Sequence, residues 1–275
     1  AGIVGKEVVY RSGMHFTPLE GPETIHAAAL QEIVREEYRR AGMAPGDVET
    51  GAVIITGEAA RKRNADAVLE ALSALAGDFV VTVAGPHLES LIAGKGSGAE
   101  AYSREHFTTV TNVDIGGGSA NSALFRHGRC VASAAMSFGG RLLVMDPPSG
   151  QIRHLAPPGR LIAEHLGLPF APGYTPALDE LRVFTDAMAG LTVELIEGRI
   201  SPLAQRLMLT EPSPESGRGS LLFFSGGIGH YVYAPAPIRT VADVTVHGDI
   251  GPLLAESIRR QPELAAYALR RPPET

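Results

Sequence analysis

Tryptophan is absent from the 275-residue chain, and aromatic residues make up only 6% of it. Its cores must therefore rest on aliphatic packing, which an ordinary hydrophobic content of 44% can supply. Cysteine occurs once, at Cys130, so neither an internal disulfide nor a cysteine-rich metal centre can form. Long apolar runs are missing too. Gly51-Ala52-Val53-Ile54-Ile55 is typical of the longest and is far too short to cross a bilayer, so no membrane partner is expected. A basic stripe is also lacking. The net charge is −6 and the Lys and Arg residues are scattered, apart from Arg61-Lys62-Arg63 and Arg259-Arg260, which read as solvated helix faces or ends. Nucleic acid is accordingly not an expected partner. No Walker A string, G-x-S-x-G elbow, G-x-G-x-x-G, H-E-x-x-H or C-x-x-C occurs. P-loop NTPases, typical lipases and typical dinucleotide enzymes are thereby set aside. No signal-peptide pattern is legible, and the cytoplasm is the expected compartment.

What is present is an alternation of strands and helices, which argues for α/β layers. Glu7 to Ser12 alternates weakly and reads as a strand. Residues 24–41 have helical spacing, with Gly42 just past the end where left-handed backbone is needed. Residues 52–55 and 79–83 are short apolar runs, as in strands buried on both faces. Between them residues 61–76 are helical in pattern, followed by Gly77, and Pro86 suits the first residue of a further helix. Three strands then follow closely, at 109–115, 119–126 and 129–136, separated by Gly116-Gly117-Gly118 and His127-Gly128. A small hairpin is expected around Ser149-Gly150, a long helix over 177–198, and a mobile loop over 211–219. Leu221 to Phe224 reads as a buried strand ending at Ser225-Gly226-Gly227, with a strand near 240–246 and a helix near 252–260 closing the pattern. The second half is thus β-β-β-α-β-α-β-α. The first matches it if two leading strands are missing. The expected domains are 1–107 and 108–275.

Asp114-Ile115-Gly116-Gly117-Gly118-Ser119 is the string most informative about chemistry. Glycine inside a strand costs about 0.5–1 kcal/mol relative to alanine, and a tight hairpin needs only one or two. A third glycine followed by Ser119 suits a turn whose N–H groups face an anion at close range. Asp114, at the strand end, is placed to hold a hydrated Mg²⁺ beside phosphate oxygens. Ser225-Gly226-Gly227-Ile228-Gly229 also follows a strand and precedes a helix, where free N–H groups accept a ligand. It reads either as an ordinary βα loop or as the second wall of a nucleotide site. Gly139-Gly140 serves equally as a plain turn or as a site element, and Thr56-Gly57-Glu58 lies at a strand end that could line the same cleft, although Glu58 equally suits an acid at a helix N-terminus facing the dipole. His87 and Glu89 are two apart near a helix start, a spacing that does not favour a shared metal, so His87 is read as a surface or capping residue.

The turn at 114–119, taken with Ser225-Gly226-Gly227-Ile228-Gly229, resembles the second phosphate motif and the adenosine motif of the actin-like ATPases. Longer strings narrow the resemblance. They are Ile54-Ile55-Thr56-Gly57-Glu58-Ala59-Ala60, the run from Ala84 to Gly94, Ser201-Pro202-Leu203-Ala204-Gln205, and Gly248-Asp249-Ile250-Gly251-Pro252-Leu253-Leu254. Together they are similar to the ethanolamine ammonia-lyase reactivating factors, the EutA family of ethanolamine utilisation.

The resemblance implies an actin-like ATPase (ribonuclease H-like) fold of two α/β lobes with mixed sheets. It also implies a chaperone-like factor that uses ATP and Mg²⁺ to release damaged cobalamin from adenosylcobalamin-dependent ethanolamine ammonia-lyase. On this reading Gly116, Gly117, Gly118 and Ser119 contact phosphates, Asp114 positions Mg²⁺ through water, and Gly226, Gly227 and Gly229 border the adenosine. Glu89 falls on the interlobe helix, where related phosphatases carry a carboxylate that orients the attacking water. The partner is the lyase, a homo-oligomer is left open, and so is association with a bacterial microcompartment. The family's first phosphate loop, an Asp-x-Gly-Thr-Thr-Thr string, is not found here, so the first lobe is expected to be truncated at its N-terminus and ATP binding and hydrolysis to be in question. Two alternatives remain. One is a phosphatase of the same fold acting on polyphosphate or guanosine polyphosphates, against which the scattered basic residues argue. The other is a nucleotide-free interaction module.

Overall fold

The computed structural model describes residues 7–13, 15, 17–18, 20, 24–55, 63–73, 78–83, 85–212 and 221–273. The chain divides into two compact units, residues 1–85 and 86–275, each with its own core.

In the first unit, helix α1 (Ala27–Ala41) ends where Gly42 turns left-handed at φ 68°. The N–H groups of Gly42 and Met43 return to the carbonyls of Arg39 and Tyr38, the termination that the position of Gly42 implied. Strand β1 (Thr50–Ile55), helix α2 (Ala65–Ser73) and strand β2 (Asp78–Val83) follow, and the two strands pair in parallel. Ile25, Ile55, Val68, Leu69 and Leu72 form the small core. Asn64 stands in for a strand partner of Ile25: its Oδ1 accepts from the Ile25 N–H at 2.9 Å and its Nδ2 donates to the Ile25 carbonyl at 2.8 Å. The strand expected over Glu7–Ser12 does not form. Val8 and Val9 are exposed, and a lone strand with no ladder and no buried face has nothing to hold it. The ends of the helix expected over 61–76, namely residues 61–62 and 74–76, lie outside the described residues, as do Gly77 and residues 213–219 of the expected loop.

The second unit opens with helices α3 (Pro86–Gly96) and α4 (Ala99–Glu105). A meander of β3 (Thr109–Ile115), β4 (Ala120–Arg126) and β5 (Arg129–Met136) follows. The β4–β5 turn has His127 at φ 52° and Gly128 at φ 79°, the left-handed pair that a two-residue hairpin favours. The hairpin β6 (Leu143–Met145) and β7 (Ile152–Leu155) encloses Ser149-Gly150 as expected. Helices α5 (Pro157–Leu166), α6 (Leu178–Glu197) and α7 (Pro202–Leu207) lead to strand β8 (Leu221–Ser225) and helix α8 (Gly226–Tyr233). Helices α9 (Val241–Val244) and α10 (Gly251–Arg259) and the short strand β9 (Ala268–Leu269) complete the unit. The strand expected near 240–246 is therefore helical. Asp243 Oδ2 accepts from the Thr240 N–H at 2.8 Å while Thr240 Oγ1 accepts from the Asp243 N–H at 3.4 Å, a reciprocal cap that starts a helical turn before the apolar residues can extend.

The strands form a mixed sheet in the order β5-β4-β3-β8-β9, antiparallel from β5 to β3 and parallel from β3 to β9. The fold class is α/β with a mixed sheet, as the resemblance to the actin-like ATPases implied. Strand alternation gives the sheet two unlike faces. On one, Val113, Ile115, Ala120, Leu222 and Phe224 join the main core with Phe184 and Met188 of α6 and Leu253 and Leu254 of α10. On the other, Val110, Ala123, Phe125 and Phe223 form a smaller cluster with Ala99, against which Leu91 of α3 and Tyr102 of α4 pack. Helix α3 lies close on this second face. A Cβ at Gly94 would come within 2.2 Å of the buried Phe125 ring, so only glycine admits the contact.

Candidate functional site

The site begins with register. Asp114 on β3 pairs with Asn121 on β4 and with Ser225 on β8. These three therefore form a polar row across adjacent strands, on the face that α3 covers. Asn112, two residues before Asp114, shares that face. The row lies at the carboxyl ends of the parallel strands β3 and β8, where open α/β sheets bind ligands.

Asp114 Oδ2 accepts from Ser225 Oγ at 2.7 Å, and Ser225 Oγ in turn accepts from Asn112 Nδ2 at 3.1 Å. Burial pushes the Asp114 carboxyl above the ordinary carboxylate range, and the Ser225 hydrogen bond opposes that shift. At the other end of the row, Asn121 Nδ2 donates to Glu89 Oε1 at 3.0 Å and to Ser119 Oγ at 3.2 Å. Ser119 Oγ donates to the same Glu89 oxygen at 3.3 Å. The first turn of α3 thus places Glu89 directly over the serine that ends the glycine turn. The Oδ1 atoms of Asn112 and Asn121 are buried without a hydrogen-bond partner, which is uncommon in a packed sheet.

The glycine turn is held from behind. The Gly116 N–H donates to the Ser119 carbonyl at 3.1 Å, closing the turn on itself. The Gly116 and Gly117 carbonyls accept from the N–H groups of Gly140 at 3.0 Å and Arg141 at 2.8 Å. Among the described residues the N–H groups of Gly117 and Gly118 meet no acceptor. None of the three glycines has a positive φ, so the handedness of the turn does not demand them. At Gly116 an added Cβ would meet nothing within 4 Å. Gly139 is explained by packing instead, because its Cβ would stand 2.5 Å from the Gly116 carbonyl oxygen.

Behind this segment the Gly140 carbonyl accepts from the Ile250 N–H at 3.0 Å, and Asp249 Oδ1 accepts from the Gly251 N–H at 2.9 Å. Burial raises the Asp249 carboxyl and lowers the Arg141 guanidinium, and their mutual attraction opposes both shifts.

The second glycine string forms the start of α8. Gly226 has φ 74°, and its Cβ would stand 2.6 Å from the Ile115 carbonyl oxygen and 3.2 Å from Asp114 Oδ1. A Cβ at Gly229 would lie 2.8 Å from the Phe224 carbonyl, whereas one at Gly227 would meet nothing within 4 Å. Tyr233, at the end of the same helix, accepts from the Phe224 N–H at 2.8 Å and donates to the Arg270 carbonyl at 2.7 Å. Burial pushes its phenol up to about 12.

Of the residues singled out from the sequence, Asp114, Gly116, Gly117, Gly118, Ser119, Glu89 and Gly226 lie in this one constellation. Gly227 and Gly229 follow on the helix that starts there. Thr56, Gly57 and Glu58 lie outside the described residues. His87 is exposed, with Nδ1 3.0 Å from Ser133 Oγ. Among the described residues no group of three or more His, Cys, Asp and Glu could hold a metal by itself, and no helix is long and apolar enough to cross a membrane. Sequence reasoning missed Asn112 and Asn121. The available signal was the period of two: a polar residue two places from Asp114 and another two places from Ser119, inside otherwise apolar strands.

The family model described as "Ethanolamine utilisation protein EutA" matches residues 1–275. The chain is 39% identical over 273 residues to the ethanolamine ammonia-lyase reactivase EutA of Escherichia coli K12, covering 99% of this chain and 57% of the relative. It is 38% identical over 272 residues to the reactivase of the same name from Salmonella typhimurium, with the same coverage of each chain. The chain thus spans little more than half the length of the curated relatives it matches. Among solved structures, a Ppx/GppA family member from Aquifex aeolicus superposes with a TM-score of 0.48 at 14% identity, covering 90% of this chain and 77% of that one.

Proposed function

The chain belongs to the ethanolamine utilisation protein EutA family, and from that premise we propose that it acts as the nucleotide-binding part of a reactivating factor for ethanolamine ammonia-lyase. The activity is ATP-dependent release of damaged cobalamin from the lyase, so that intact adenosylcobalamin can enter. The site of action is beside the lyase, in the cytoplasm or in a microcompartment that holds it.

The observation that carries the nucleotide part is space beside the polar row. The packing of the chain requires no glycine at Gly116 or Gly227, yet both positions leave open ground next to Asp114, Ser119 and the start of α8. Mg-ATP fits the donors present. The N–H groups of Gly117 and Gly118 and the Ser119 hydroxyl would receive phosphate oxygens. Asp114, with Oδ2 committed to Ser225, keeps Oδ1 for a water on Mg²⁺; only glycine at 226 leaves that oxygen uncovered. Gly226, Gly227 and Gly229 would border the adenosine at the helix start. Bound Mg-ATP supplies a phosphoanhydride bond and a cation that neutralises its phosphates. Glu89 would orient a water and accept its proton, and Asn121 and Ser119 hold its carboxylate in one position.

The test is reactivation of cyanocobalamin-blocked ethanolamine ammonia-lyase by the protein, with and without Mg-ATP. Lyase activity is expected to return only when protein and Mg-ATP are both present. No recovery under any nucleotide condition would remove this function.

A further inference from the structure

On the nucleotide reading Asp114 serves the cation and the start of α8 the adenosine, and the Ser225 hydroxyl adds a side-chain bond to the backbone pairing between them. We propose that Ser225 is a positioning residue that ties the Asp114 carboxylate to the first turn of α8, so that the cation side and the adenosine side of the site move as one hydrogen-bonded unit. The inference rests on the nucleotide reading and deepens it.

Ser225 occupies the N-cap of α8, where a serine side chain ordinarily accepts from an N–H of its own helix. It makes no such cap bond. Its hydroxyl instead donates across the strand pair to Asp114 Oδ2 at 2.7 Å. The direction of that bond is set by Asn112. A hydroxyl has one proton, and Asn112 Nδ2 donates into the oxygen at 3.1 Å, so the proton is committed to Asp114. Asn112 keeps this role although its own Oδ1 is buried without a partner, a cost that mere strand pairing would not require. The backbone ladder already joins β3 and β8 from Val110↔Leu221 to Asp114↔Ser225. The side-chain chain therefore adds orientation rather than pairing. Gly226 completes the junction, because its left-handed backbone seats the helix start against the Ile115 carbonyl and alongside Asp114 Oδ1. With Oδ2 fixed, Oδ1 has one direction in which to present itself.

The consequence is measurable as the Mg²⁺ dependence of ATP binding. Calorimetric affinities for ATP with Mg²⁺ and with EDTA are compared for the wild-type protein, Ser225→Ala, Ser225→Thr, Asp114→Asn and the Ser225→Ala/Asp114→Asn double variant. Ser225→Ala is expected to lose about tenfold of the Mg²⁺-dependent gain, as for a hydrogen bond to a charged group, while metal-free affinity stays within about twofold. Ser225→Thr, which keeps the hydroxyl, restores the gain. The double variant binds no worse than Asp114→Asn alone, because both changes break the same link. A purely structural serine would lower the unfolding temperature without changing the ratio of the two affinities. A wild-type ratio in Ser225→Ala, or additive losses in the double variant, overturns the proposal and leaves the nucleotide reading standing. If the wild-type protein binds no Mg-ATP, both fall. Should Ser225→Ala not fold, Ser225→Cys, with its weak donor, takes its place under the same criteria.

Discussion

The two faces of the central sheet are made from the same strands and do different work. Toward α6 and α10 the side chains of β3, β4 and β8 are Val113, Ile115, Ala120, Leu222 and Phe224, all buried in the large core. Toward α3, the same strands begin with an apolar cluster around Phe125 and Phe223 and end in Asn112, Asp114, Asn121 and Ser225. The first face gains stability from area removed from water. The second gives some of that up, burying a carboxylate and two half-satisfied amides. The difference teaches how a sheet keeps a buried polar row: one face supplies the stability that the other spends.

The comparison can be broken most sharply on the apolar face. Phe224→Ala is expected to destabilise the protein by about 3–5 kcal/mol, read from urea unfolding, since a fully buried ring leaves a cavity among α6 and α10. A loss no larger than that of a surface substitution would show that this face does not carry the fold.

An intermediate effect, of opposite sign, is expected from Asp114→Asn in the absence of nucleotide. The folded Asp114 holds its proton above the ordinary carboxylate range because burial disfavours its charge. Wild-type stability therefore falls as pH rises from that ordinary range through the raised folded value, where the unfolded chain has already released the proton. The asparagine variant lacks this decline. Its urea midpoint should overtake that of the wild type as pH rises through the same window and stay ahead at neutral pH, and parallel curves would refute the account.

The smallest stability effect belongs to Gly116→Ala. Nothing lies within 4 Å of its Cβ position, so stability should be unchanged or raised by up to about 1 kcal/mol through the unfolded chain. Mg-ATP affinity should nevertheless fall tenfold or more, because the methyl group occupies the ground that a phosphate needs. Unchanged affinity would place the nucleotide elsewhere.

Much of this arrangement was legible in the sequence. The strand–turn–strand around Gly116-Gly117-Gly118, the hairpin at His127-Gly128 and the helix over 178–197 follow from apolar period and turn chemistry alone, both local properties. The strand expected near 240–246 failed because Thr240 and Asp243, three apart, cap a helix, a local signal that outweighed the β-branched residues around it. Glu7 to Ser12 failed because alternation without a partner strand has no energy behind it. The polar row was hidden for a different reason. Asn121 and Ser225 meet Asp114 only through cross-strand register, which joins residues 111 positions apart in one case, and no window along the chain contains that pairing. The direction of the Ser225 hydroxyl was hidden further still, since the same residue at the same helix start would ordinarily be read as a cap.

The bonds from Gly140 and Arg141 to the glycine turn have an electrical consequence. In a trans peptide the N–H points away from the C=O, and each of the two carbonyls involved shares its peptide plane with the next residue's N–H. Holding the Gly116 carbonyl therefore aims the Gly117 N–H, and holding the Gly117 carbonyl aims the Gly118 N–H. A carbonyl that accepts a hydrogen bond also draws charge from its own amide, so each outward N–H becomes the more positive end of a chain of aligned dipoles. The turn is thus polarised from behind, and the Gly140–Arg141 segment acts as its counter-electrode.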